Sequence, residues 1–214
     1  MDESDLRQHL INIACDMSAA GLSPGRSGNV SVRHEEGMLI TPSGLEYEGL
    51  KRRDIVFVGL DRTKREGERK ASSETPLHLA IYDARPETQA IVHCHSPAAT
   101  ALSCARRPIP AYHYMVAVAG GKQIPLSPYA TFGTQELADN VAATLDDVDA
   151  CLMANHGQIA IGSALERALF VAKEVENLAR QYIDVMKVGE PVILDDQEMD
   201  TVLKKFSSYG QNAQ

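Results

Sequence analysis

The chain has 214 residues, 44% of them hydrophobic, enough for one well-packed core, and no Pro/Gly/Ser-rich linker or charge run divides it. Lys and Arg number 21 against 29 Asp and Glu, a net charge of -8 without a basic stripe interleaved with aromatics, which excludes nucleic acid as the expected partner. The acidic opening Met1-Asp2-Glu3-Ser4-Asp5 is unlike a signal peptide, and no apolar run reaches the roughly 18 residues of a membrane helix. The expectation is a soluble, cytoplasmic protein with no membrane contact, forming a single domain over residues 1–214.

Leu6, Leu10, Ile13 and Met17 recur at helical spacing and Gly21 follows as a stop, predicting an amphipathic helix over about residues 4 to 20. Residues 29–33, 38–41 and 54–58 are short, β-branched and separated by turn residues, so they read as strands opening an antiparallel sheet. The polar stretch 61–70 reads as a solvated loop. Ser72-Ser73-Glu74-Thr75-Pro76 is a helix opening, with a serine able to cap and a proline in the first turn. Leu77, Ala80, Ile81 and Ala84 then make a buried stripe, with His78 outside it as a packing residue.

Residues 90–95 read as a strand, and Pro97 starts a helix of small residues. Residues 150–154 form another strand, which turns at Asn155-His156-Gly157 and continues as a further strand at 158–161. A long helix over about 163 to 188 carries Leu165, Leu169, Ala172, Val175, Ala179 and Tyr182. The last helix starts at Asp195 and carries Met199, Val202, Leu203 and Phe206, with Asp195 and Glu198 in capping-box spacing. Helices flanking a mostly antiparallel or mixed sheet make this α/β in three layers.

His93 and His95 stand two apart on a strand, so their imidazoles face the same way and can chelate one ion. With His156 before a glycine and Glu74 behind two serines, they make a three-imidazole, one-carboxylate set suited to zinc, or to manganese or cobalt. Cys94 lies between the two histidines and points to the opposite face. With Cys15, Cys104 and Cys151 it shows no Cys-x-x-Cys spacing, so all four are expected as reduced thiols. Gly28 and Asn29, Ser43 and Gly44, and Ser72 and Ser73 lie in three small-residue turns whose N–H groups and hydroxyls can converge on an anion.

These blocks, together with residues 109–115, residues 128–134 and the tail Lys205-Phe206-x-x-Tyr209-Gly210, resemble the class II aldolase/adducin family along essentially the whole chain, and within it the L-fuculose-1-phosphate aldolases. The resemblance implies metal-dependent cleavage of a ketose 1-phosphate to dihydroxyacetone phosphate and a short aldehyde. It implies Zn²⁺ on His93, His95, His156 and Glu74, with Glu74 also the acid/base. It implies phosphate on Gly28, Asn29, Ser43, Gly44, Ser72 and Ser73. Tyr114 would reach in from a neighbouring subunit of a homotetramer with sites at its interfaces, and Tyr209 would close the site from a tail beginning at about residue 207.

The chain departs from that pattern at Arg26-Ser27 and at Asn155, which brings 5-deoxy- and 5-methylthiopentulose 1-phosphates beside L-fuculose 1-phosphate as substrates. Pentulose-5-phosphate 4-epimerases share the metal site, but the His113-Tyr114-Met115 block has the aldolase form. A non-catalytic adducin-like binding domain would have the fold without the metal ligands.

Overall fold

Among the described residues, β-branched runs broken by glycine and charged turns fold as seven strands: β1 (Asn29–His34), β2 (Gly37–Ile40), β3 (Val56–Gly59), β4 (Ala90–Cys94), β5 (Leu126–Ser127), β6 (Ala150–Met153) and β7 (Gly157–Gly162). A computed structural model describes residues 1–25, 27–65 and 67–206. The strands form one sheet in the order β3-β2-β1-β4-β7-β6-β5, antiparallel throughout except for the parallel β5–β6 pair. The antiparallel opening and the further strand after Gly157 are both as the sequence predicts.

The helices are α1 (Glu3–Ala19), α2 (Thr75–Ala84), α3 (Pro97–Cys104), α4 (Gln135–Thr144), α5 (Leu165–Val188) and α6 (Asp196–Phe206). One face of the sheet carries the apolar stripes of α1, α3 and α5, among them Leu10, Met17, Leu102, Leu169 and Val175. The other face carries α2 and α4 through Leu77, Ile81, Tyr82, Leu137 and Val141. This gives the three layers, and strand alternation sends Val92 and Cys94 into the first core and Ile91 into the second. Cys94 is buried as expected, and all four cysteines are free thiols.

Two local expectations change, and two elements come without one. The buried positions of α2 are Leu77, His78, Leu79, Ile81 and Tyr82, while Ala84 is exposed and Ala80 only half-buried. Helix α2 packs against α4 as well as covering the sheet, and His78 is buried against Ser31 and Asn29 of β1. The stretch 61–70 is irregular but not simply solvated. Glu68 pairs with Arg7 at 2.7 Å and accepts the Phe57 N–H, and Arg65 lies over the Phe57 ring. Helix α4, capped by the Thr134 hydroxyl on the Leu137 N–H, and the 3-10 helix Tyr114–Ala119 have no counterpart in the sequence prediction.

Antiparallel pairing positions the site. Asn29 at the start of β1 pairs with His93 near the end of β4, and Cys94 pairs with Gln158 just inside β7. The start of β1, the end of β4 and the turn before β7 therefore meet at one end of the sheet, where α2 also begins. Glu176 on α5 fixes the next segment: its buried carboxylate accepts the Ala98 and Ala99 N–H groups at 3.0 to 3.1 Å and caps α3 directly after His95-Ser96.

Candidate metal centre and anion cavity

Close approach of three backbones builds the centre. Gly28 has φ +93°, and a Cβ there would sit 2.7 Å from the His93 carbonyl oxygen. A Cβ on Gly157 would sit 2.5 Å from the Cys94 carbonyl oxygen. Both positions require glycine for β1 and β7 to press against the end of β4.

The structure brings together all four predicted ligands: one donor atom from each of Glu74, His93, His95 and His156 lies within 4.8 Å of the others. The three rings stand with centroids 4.7 to 5.0 Å apart and planes 69° to 82° to one another. The His93 Nδ1–H donates to the Gln158 carbonyl at 2.8 Å, which leaves the Nε2 lone pair for the centre. That Nε2 lies 3.1 Å from the His95 Nε2 and 3.0 Å from the Glu74 Oε2.

A dication fits these groups. Glu74 Oε1 lies 3.2 Å from His156 Nε2, is fully buried and has no hydrogen-bond partner, so an acceptor is aimed into the cluster with nothing to accept from. Burial, followed by the neighbouring imidazoles, pushes His95 down to about 4, and burial with His93 does the same to His156. Both rings are therefore neutral at neutral pH and offer lone pairs. Burial on its own would raise the Glu74 carboxyl, but His93, His156 and the Asn29 hydrogen bond outweigh it and hold the group well below the usual carboxylate range. Three imidazoles and a carboxylate suit zinc and several other divalent ions.

Beside the cluster opens a cavity of about 420 Å³. All three small-residue turns line it, through Gly28, Asn29, Ser43, Gly44, Ser72 and Ser73, together with Glu74, His95 and His156. The turns after β2 and before α2 are stitched to one another, with the Ser43 N–H donating to Lys70 and the Ser72 N–H to Thr41. Those two N–H groups are therefore committed, and what Ser72 offers is its hydroxyl. Its oxygen accepts the Glu74 N–H at 3.2 Å, which frees the O–H to donate. None of the described lining residues is Lys or Arg. Favourable charge for an anion comes from the positive end of α2 and from the cation the cluster could hold.

The model of the class II aldolase and adducin N-terminal domain matches residues 8–183. The chain belongs to the class II aldolase and adducin family. It is 49% identical over 209 residues to the 5-methylthioribulose-1-phosphate/5-deoxyribulose-1-phosphate aldolase of Rhodospirillum rubrum, covering 98% of this chain and 94% of that protein. It is 46% identical over 211 residues to the L-fuculose phosphate aldolase of Escherichia coli O6:H1, covering 98% of both. A solved L-fuculose 1-phosphate aldolase superposes with a TM-score of 0.93 at 42% identity, over 97% of this chain and 98% of that one.

Tyr114 does not line the cavity of its own chain. It is 51% exposed on the 3-10 helix, stacked on His113 and edge-on to Phe206, at a separate apolar hollow. Tyr209, the tail from residue 207 and Arg26 lie outside the described residues. Sequence reasoning left out Tyr47, whose hydroxyl donates to the Gly28 carbonyl at 2.7 Å and pins the first turn. It also left out Tyr129 and Phe132, exposed aromatics on the cavity rim. The 128–134 block that carries the last two was visible in the resemblance, without a role. Among the described residues no helix is long and apolar enough to cross a membrane.

Proposed function

We propose that this chain is a zinc-dependent aldolase that reversibly cleaves a ketose 1-phosphate to dihydroxyacetone phosphate and a short aldehyde. The observation that carries the reading is the single cavity on which a four-donor metal cluster and three hydroxyl-rich turns converge. Named relatives acting on 5-methylthioribulose 1-phosphate, 5-deoxyribulose 1-phosphate and L-fuculose phosphate support the substrate class.

In the cleavage the C3–C4 bond breaks and its electron pair stays with C3 of the dihydroxyacetone phosphate half. The C4 hydroxyl loses its proton and becomes the aldehyde, and a proton is returned to C3. His93, His95, His156 and Glu74 would hold a dication, which when bound would supply Lewis-acid stabilisation of the negative charge that develops on the dihydroxyacetone phosphate half. Gly28, Asn29, Ser43, Gly44, Ser72 and Ser73 hold the phosphate and fix the substrate's register. Glu74, a buried carboxylate on the cavity wall, carries the proton for C3. Tyr114 of a neighbouring subunit, in a cyclic homotetramer, meets the C4 oxygen.

The test is to load purified protein with Zn²⁺ and offer L-fuculose 1-phosphate, 5-deoxyribulose 1-phosphate, 5-methylthioribulose 1-phosphate and pentulose 5-phosphates, scoring dihydroxyacetone phosphate. Release from one or more 1-phosphates, abolished by a chelator and restored by zinc, is expected. Interconversion of pentulose 5-phosphates with no dihydroxyacetone phosphate would replace the aldolase reading by an epimerase.

A further inference from the structure

Behind Glu74 runs a line of buried polar side chains, of which the chemistry above uses only Asn29. Tyr82 Oη lies 2.9 Å from Ser31 Oγ, and Ser31 Oγ lies 2.6 Å from His78 Nδ1. His78 Nε2 lies 2.5 Å from Asn29 Oδ1, and Asn29 Nδ2 lies 3.0 Å from Glu74 Oε2. Ser31 and His78 have no exposed surface, and Tyr82, Asn29 and Glu74 have almost none. The line starts in the second core and ends at the metal cluster.

The carboxylate at its end fixes the direction of every bond. An ionised Glu74 only accepts, so the Asn29 group facing it is the NH2. The Asn29 oxygen then faces His78, whose Nε2 has to carry the hydrogen. A neutral ring protonated there has its lone pair at Nδ1, which takes the Ser31 O–H, and the Ser31 oxygen takes the Tyr82 O–H. Four donors point one way, from Tyr82 to Glu74, and each is satisfied. Reversing the line would set the Asn29 carbonyl against a carboxylate oxygen at 3.0 Å, two acceptors without a hydrogen between them.

We propose that His78 is a positioning residue for the acid/base carboxylate, its Nε2–H locking the Asn29 side-chain amide with the NH2 toward Glu74 Oε2. The catalytic consequence rests on the aldolase reading. Oε2 is committed to Asn29, and Oε1, the oxygen without a hydrogen bond, is left for the cation or the substrate. With its oxygen committed to His78, Asn29 has only an N–H left to offer an anion in the cavity. A single buried histidine thereby sets the polarity of an amide shared by the carboxylate and the phosphate cradle.

The direct test is long-range ¹H–¹⁵N NMR on zinc-loaded protein labelled at histidine, with His78 assigned by its loss in His78→Gln. A neutral ring bearing its hydrogen at Nε2 is expected, and a ring bearing it at Nδ1 overturns the proposal. The kinetic test compares His78→Met, which cannot donate, with His78→Gln, whose amide reaches the place of Nε2. His78→Met lowers kcat by about 10- to 100-fold as a zinc-loaded protein, the usual cost of losing an outer-shell partner. His78→Gln recovers most of that loss. Unchanged kcat in His78→Met, or equal loss in both variants, overturns the positioning role. If His78→Met does not fold, the tautomer decides. Wild-type protein that cleaves no ketose 1-phosphate would sink the aldolase reading and leave the tautomer measurement standing.

Discussion

Glu74 is at once a donor of the candidate metal cluster and the carboxylate on the cavity wall, and substitution separates the two proposed roles. Glu74→Gln removes the group proposed to carry a proton but leaves His93, His95 and His156, and three protein donors are the usual complement of a catalytic zinc. It is expected to retain about one zinc per chain while kcat falls by about 10²- to 10⁴-fold, the range for loss of a general acid/base. His95→Ala leaves two imidazoles and is expected to lose both zinc and turnover. Metal analysis after gel filtration, set beside dihydroxyacetone phosphate release, checks the pair. Full turnover in Glu74→Gln would remove Glu74 from the proton transfer.

At the scale of elements, the start of α1 is tied by charge to the end of β1 and to the 61–70 loop. Glu3 accepts from Arg65 at 2.7 and 2.8 Å and from Arg7 at 2.8 Å, and lies 3.0 Å from His34 Nε2. Partial burial on its own would raise the Glu3 carboxyl, but the Arg65, Arg7 and His34 contacts outweigh it and hold the group at about 2, against an ordinary 4.5. A depressed carboxylate stabilises the fold above its unfolded value and loses that contribution as pH falls from about 4.5 toward about 2. Glu3→Gln is therefore expected to cost about 1 kcal/mol at pH 7, the upper end for part-exposed pairs, and progressively less between pH 5 and pH 3. Urea melts of both proteins across that range check it; a constant difference would show that the charge is not responsible. What the sequence made legible follows from how local each signal is. The α5 stripe from Leu165 to Tyr182 repeats over many turns, and every predicted position in it is buried. His93 and His95 share a face by strand geometry alone, and their cluster with His156 and Glu74 is where the sequence put it. Helix α4 escaped because its buried positions are few, Leu137, Ala138 and Val141, and its Thr134 cap follows a Thr-Phe-Gly turn that reads as loop. Glu176 was invisible because its partner Ala98 lies 78 residues away. His78 was misplaced because the groups it is buried against, Ser31 and Asn29 on β1, lie 47 and 49 residues away in the chain.

For the whole molecule, the placement of Tyr114 makes the proposed assembly testable without a structure of it. The side chain is half exposed and lines a hollow with Phe206, not the metal cavity of its own chain. If it serves a neighbour's site in a closed ring, two inactive variants complement each other. Tyr114→Phe keeps its metal donors but supplies no hydroxyl to its neighbour, and His95→Ala supplies the hydroxyl but holds no metal. In tetramers assembled at random from equal amounts, half of the cavities belong to Tyr114→Phe chains, and half of those face a His95→Ala neighbour. Random assembly therefore gives about one quarter of wild-type activity per chain, and slightly more once unmixed tetramers are removed, from heads-and-tails statistics on a closed ring. If Tyr114 acted within its own chain, every cavity with intact donors would lack the hydroxyl, and mixing would restore nothing. The two variants are best co-expressed with different tags and purified through both, so that only mixed assemblies are assayed. Activity no greater than that of the separate variants would place the C4 proton transfer on a group inside the chain.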